Sequence, residues 1–156
     1  MVTVKLTSDF KESLSLLNSE KIEYLLIGGY AVGLYGHVRP TKDIDLWVSV
    51  APDNLDRLIE VLVKFGFARH SIQTPLFTDE KTVLRMGVPP NRLEVLSQIV
   101  GVEFAGCYAR RVMMAIEGIE VPVISLDDLR ANKLATGRER DAGDVRALDK
   151  RRQKRK

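Results

Sequence analysis

The sequence predicts an α+β domain in which a mixed, twisted sheet is flanked by helices and followed by two C-terminal helices. Three observations carry that expectation. Short apolar runs, among them IEYLLIGG, DIDLWVSV, TVLRMG and RLEVLSQI, are bounded by Gly, Pro or Asn, as strands are. Other segments repeat their apolar residues every three to four positions, which is the spacing of one helix face. The chain then closes with two helix-like segments, SLDDLRANKLATG and RDAGDVRALDK, with no strand between them.

Taken in order, Phe10, Leu14 and Leu17, with Thr7 or Ser8 as a cap, predict a first helix over residues 8–20. IEYLLIGG follows as a short buried strand ending in glycine, and residues 30–37 as a brief helix. Pro40 biases the residue before it towards an extended backbone, which leads into DIDLWVSV. From Pro52, a favoured first helical residue, Leu55, Leu58, Ile59, Leu62 and Phe65 line one face until Gly66 ends the helix. TVLRMG and RLEVLSQI read as strands linked by VPPN, and RRVMMAI with IEVPVISL as a hairpin turning at Glu117 and Gly118. The two last helices are respectively capped and closed by Gly137, and amphipathic. Met113 and Met114 are expected to fill the core.

At 156 residues the chain suits one domain, expected over residues 1–149, followed by a basic, disordered tail at 150–156. The tail KRRQKRK holds six of the 24 Lys and Arg, and without it the body has 18 basic against 21 acidic side chains. The basicity is therefore local, and it offers at most a sequence-independent attraction to phosphates. Cys107 is the single cysteine, which excludes an internal disulfide and a cysteine-based metal cluster. The N-terminus turns charged before a signal peptide could form, and no apolar run approaches membrane-spanning length. A cytoplasmic protein without membrane association is expected.

Asp43 and Asp45 stand two apart in a strand, so both project from one face while Ile44, Leu46 and Val48 project into the core. Neighbouring carboxylates repel each other unless a cation sits between them, and hard oxygen ligands suit Mg²⁺ or Mn²⁺. The competing account is an exposed face that happens to carry two acids. Upstream, Gly28 and Gly29 close one strand and open a helix, where bare backbone from Gly28 to Tyr30 lets a phosphate approach free N–H groups. Trp47 shares the carboxylate face, either to stack on a base or as an ordinary strand aromatic. His37 and His70 lack partners at ligand spacing and read as surface or packing residues.

An apolar residue, Gly-Gly, a 13-residue spacer and Asp-Ile-Asp-Leu together resemble the signature of the nucleotidyltransferase fold shared by polymerase beta-like enzymes, antibiotic nucleotidyltransferases and AbiEii-type toxins. GGYAV, R-x-T-x-DID, PPNR and NK-x-x-TGR are most similar to an uncharacterised bacterial and archaeal branch. The resemblance implies transfer of a nucleoside monophosphate from a nucleoside triphosphate to a hydroxyl on RNA, protein or a small molecule, with release of pyrophosphate. It also implies a third carboxylate on a neighbouring strand, which RLEVLS supplies as Glu94, completing a catalytic and metal-binding set with Asp43 and Asp45. Arg39, Thr41 and Lys42 then stand where they could reach phosphate oxygens. Alternatively, Arg92 and Glu94 are only a cross-strand ion-pair face.

Apolar spacing brings Lys133 onto the face of Leu126 and Leu129, and Asp141 onto that of Val145 and Leu148, so both charges should look inward. One account is a buried ion pair joining the helices. The resemblance supplies the other: Lys133 contacts the triphosphate, Asp141 orients it or helps to activate the acceptor, and Arg138 lies beside them. Two competing functions stay open. Glycosyltransferases also hold a metal through Asp-x-Asp, and a non-catalytic nucleotide-binding or toxin–antitoxin module, with a cognate antitoxin or other protein partner, could use the same fold.

Overall fold

The computed structural model describes residues 8–41, 43–72, 83–87 and 92–154. Lys42 and the VPPN link at 88–91 lie outside the described residues.

All four residues of β1 (Tyr24–Ile27) are buried, as a strand covered on both faces requires. It pairs antiparallel with β2 (Asp43–Val48). The other strands are β3 (Val83–Met86), β4 (Arg92–Leu96), β5 (Val112–Ile116) and β6 (Ile119–Val123). They complete one mixed sheet in the order β3-β4-β2-β1-β6-β5. β2 and β4 run parallel, in a register that sets Asp45 opposite Glu94 and Asp43 opposite Arg92. The strand of the two aspartates and that of the third acid are thus neighbours, as expected. Ile44, Leu46 and Val48 are buried on the other face.

The helices bounded within the described residues are α1 (Ser8–Ser19), α2 (Gly28–Leu34), α3 (Pro52–Lys64), α4 (Phe104–Ala109), α5 (Leu126–Ala135) and α6 (Glu139–Lys154). α1 buries Phe10, Leu14 and Leu17, and α3 buries Leu55, Leu58, Ile59 and Leu62, so the apolar spacing of both is the face that packs. Asn54 anchors the start of α3: it donates to the Glu23 and Ser49 carbonyls and accepts from the Glu23 N–H. Glu117 and Gly118 take successive positive φ values of 50° and 84°, the backbone of a tight hairpin turn between β5 and β6. Ser125 caps α5 by accepting the Asp128 N–H.

The structure departs from these expectations, or decides between them, at several points. α2 starts at Gly28, ahead of the expected residue 30, because its φ of +70° lets the strand turn straight into the helix. α4 falls where no spacing marked a helix. Its Phe104 packs edge-on against Trp47 at 5.1 Å, and Cys107 is buried beside it, so the second face of the sheet is covered as well. Trp47 is 2% exposed and plays the packing role rather than offering a stacking surface. Met113 is 50% exposed because β5 is an edge strand, so it does not fill the core. α6 continues through Lys154, into the basic segment at the end of the chain. Among the described residues no helix is long and apolar enough to cross a membrane.

Candidate active site

The carboxyl end of β1, the start of β2, the strand β4 and one side of α5 enclose a cleft of about 800 Å³. Gly28 and Gly29 form one wall because nothing larger fits. A Cβ on Gly28 would overlap Asp45 Oδ2, and one on Gly29 would lie 2.8 Å from Thr41 Oγ1. The first peptides of α2 are therefore bare towards the acids.

Asp43, Asp45 and Glu94 each bring a carboxylate oxygen into a cluster whose atoms lie within 4.8 Å of one another. Two of the three have cationic partners. Asp43 accepts a forked pair from Arg92, at 2.7 and 3.0 Å, and Glu94 accepts from Arg85 at 2.8 Å. Arg92 also lies 3.8 Å from Glu94, two residues along its own strand, but the ion pairs that cross between strands are Arg92 with Asp43 and Arg85 with Glu94. Asp45 is the exception: its Oδ1 is buried without a hydrogen-bond partner among the described residues. Burial first, then the neighbouring Glu94 and Asp43, push its carboxyl up to about 7, against a smaller opposing pull from Lys133. A buried, unsatisfied carboxylate oxygen beside two other acids is an arrangement that a bound cation would relieve. The cluster can hold a metal ion, which would compete with Arg92 for the oxygens of Asp43.

Opposite the acids, Lys133 does look inward and is 7% exposed. Its Nζ donates to Asp141 Oδ1 at 3.0 Å and lies 3.2 Å from Asp144 Oδ2. Asp141 Oδ2 accepts from Thr136 and from Arg138, at 2.6 and 2.7 Å. Burial alone would raise Asp141, but the hydrogen bonds from Thr136 and Lys133 outweigh it and hold the carboxyl below its ordinary value. The ion pair joining α5 to α6 is therefore real, and it forms part of the cleft wall.

Gly28, Gly29, Arg39, Thr41, Asp43, Asp45, Glu94, Lys133, Arg138 and Asp141, all singled out in the sequence, line this one cleft. Tyr30 does not: its ring is buried edge-on against Phe10, 5.9 Å between centroids, which leaves only its backbone near the glycines. Arg140, Thr136 and Asp144 were not anticipated, and Arg92 was anticipated only as an ion-pair partner. The signal for Asp144 was its position three residues after Asp141, on the same face of α6.

The arrangement of sheet, glycine turn and acids is that of the nucleotidyltransferase fold. A protein of Thermotoga maritima classed as a nucleotidyltransferase superposes with a TM-score of 0.61 at 15% identity, covering 91% of each chain. The lincosamide antibiotic adenylyltransferase LnuA, bound to lincomycin, gives 0.53 at 16% identity over 94% of this chain and 98% of that one. An antigenic nucleotidyltransferase-like protein of Paracoccidioides brasiliensis gives 0.53 at 20% identity, over 93% and 76%. No curated protein matches the chain in sequence. Residues 4–151 match the family described as nucleotidyltransferase of unknown function (DUF6036), and the chain belongs to it.

Proposed function

We propose that the cleft binds a nucleoside triphosphate with Mg²⁺ or Mn²⁺ and transfers its nucleoside monophosphate to a hydroxyl acceptor. The observation that carries this reading is the Asp45 carboxylate, whose Oδ1 has no hydrogen-bond partner among the described residues and which stands beside Asp43, Glu94 and a glycine wall that excludes side chains. The donor set fits a hard cation: Asp43, Asp45 and Glu94 would hold it. When bound, the metal supplies neutralisation of triphosphate charge and acidification of the acceptor hydroxyl.

The chain's own groups do the rest. Gly28 and Gly29 let phosphate oxygens approach the backbone, while Arg39, Thr41, Lys133 and Arg138 offer donors from the surrounding wall. The acceptor oxygen loses its proton to solvent and bonds to the α-phosphorus as the bond to the pyrophosphate oxygen breaks, and pyrophosphate leaves with that bond's electron pair. Asp141, held below its ordinary pKa and already accepting three hydrogen bonds, is a poor proton acceptor, so its role in this reading is to orient Lys133 and Arg138. The likeness to LnuA makes a small-molecule hydroxyl the first acceptor to try, with RNA and protein hydroxyls next. The competing reading, a non-catalytic or toxin–antitoxin module, draws on the pairing of Arg39, Arg92, Lys133 and Arg138 with acids of the chain.

Incubating cell lysate with each α-labelled nucleoside triphosphate decides between them. The proposed reading expects Mg²⁺-dependent label on one class of acceptor, lost in the Asp43→Asn/Asp45→Asn variant. Nucleotide binding with no label on RNA, protein or small molecules would leave the module.

A further inference from the structure

Asp144 is 3% exposed and does not line the cleft, yet it touches two cations that do. One is Lys133 of α5, at 3.2 Å. The other is Arg39, from the segment that leads into β2, whose Nε and Nη2 both donate to Asp144 at 2.9 Å. His37 Nε2 stands 3.9 Å away on the same carboxylate. Burial would raise the Asp144 carboxyl, but the hydrogen bond from Arg39 and the charge of Lys133 outweigh that and keep it below its ordinary value.

The fork matters for what it leaves free. A guanidinium has three nitrogens in a fixed plane, and a carboxylate that takes Nε and Nη2 fixes where Nη1 points. Among the described residues Nη1 makes only a long 3.4 Å contact to the Pro40 carbonyl, and it lies 3.4 Å from where a Cβ on Gly29 would sit. It is therefore held against the glycine wall, the same wall where the acids open. Lys133 is pinned in a similar way, between Asp141 and Asp144 on one side and within electrostatic reach of Asp45 on the other.

We infer that Asp144 is a positioning residue that aims Arg39 Nη1 and Lys133 Nζ at the polyphosphate of the substrate, an inference that rests on the nucleotidyltransferase reading above. Asp144 never meets substrate itself. It holds two cations, from a loop and from a helix far apart in sequence, at a fixed separation before the polyanion arrives, so that little ordering is left to be done on binding.

The sign of one substitution separates this role from simple charge. Asp144→Asn removes a negative charge next to two cations, so electrostatics alone makes the cleft bind a polyanion more tightly. Positioning makes it bind more weakly. The probe is inorganic tripolyphosphate with Mg²⁺, titrated calorimetrically into the full chain, with melting curves to score folding. Wild type binds; Asp144→Asn binds about tenfold more weakly, the scale of one lost aimed ionic hydrogen bond. Arg39→Lys keeps the charge, loses the fork and lies at the cleft wall, so it folds as wild type and weakens binding in the same direction. The double variant loses no more than Asp144→Asn alone. Unchanged or tighter binding by folded Asp144→Asn, or by Arg39→Lys should Asp144→Asn fail to fold, overturns the inference while leaving the nucleotidyltransferase reading in place. Failure of wild type to bind either tripolyphosphate or nucleoside triphosphate overturns both.

Discussion

Replacing Asp45 by Asn separates a cation site from a strand that merely carries acids. In the free protein, burial and then the neighbouring Glu94 and Asp43 raise the Asp45 carboxyl from 3.8 to about 7. A folded pKa above the unfolded one means that the protonated group favours the fold and the ionised group opposes it. The penalty therefore grows as pH rises from about 4 to about 7 and is constant above that. A rise of roughly three pKa units, at about 1.4 kcal/mol per unit, sets a ceiling of about 4 kcal/mol on what substitution can recover. The buried Asn amide needs partners of its own, which takes back about 1–2 kcal/mol. A net gain of about 2 kcal/mol raises Tm by about 4–8 °C in a domain of this size. Melting curves at pH 8 without metal should show the variant above wild type, and the gap should close at pH 4. With Mg²⁺ and a non-hydrolysable nucleoside triphosphate at pH 8 the order should reverse, because only wild type gains ligand stabilisation. A variant that melts below wild type in metal-free buffer at pH 8, or gains as much at pH 4, would show that the Asp45 carboxylate is not held against its own ionisation.

Lys133→Met should lower stability by about 2 kcal/mol in urea titration, less than a fully broken buried pair, because Asp141 keeps Thr136 and Arg138 and Asp144 keeps Arg39. It should also weaken nucleotide binding beyond what the unfolded fraction explains. Gly28→Ala combines a positive φ with overlap on Asp45, so it should destabilise by about 1–3 kcal/mol and abolish metal-dependent nucleotide binding together. Deleting residues 150–156 removes the exposed last turn of α6 and the exposed Arg152–Asp127 pair. It should cost about 1 kcal/mol or less and leave nucleotide affinity unchanged, as thermal melting and calorimetry would show.

How much of this was legible in the sequence depended on periodicity. The alternation of DIDLWV put Asp43 and Asp45 on one face with Ile44, Leu46 and Val48 on the other, because a strand permits no other arrangement. Leu126, Leu129 and Lys133 likewise showed that a charge had to face inward. What periodicity does not encode is pairing. Nothing in RLEVL says that Arg92 reaches across to Asp43 or that Arg85 takes Glu94, since those contacts follow from strand order and register. The exposure of Met113 was hidden for the same reason, because an apolar run does not reveal whether its strand lies at an edge. α4 was missed because FAGCYA is too short to show a repeat, and its position is set by packing on Trp47. Asp144 was not singled out, although its spacing from Asp141 placed it on the buried face.

Calorimetric titration decides whether Asp43, Asp45 and the glycine wall form a metal-dependent nucleotide site. A non-hydrolysable nucleoside triphosphate is added to wild type and to Asp43→Asn/Asp45→Asn, each with Mg²⁺ and with chelator, after circular dichroism has shown both to be folded. Wild type should bind only with Mg²⁺, and the folded double variant should show no Mg²⁺-dependent binding. Equal affinity in both proteins, or binding by wild type that ignores the metal, would contradict the account.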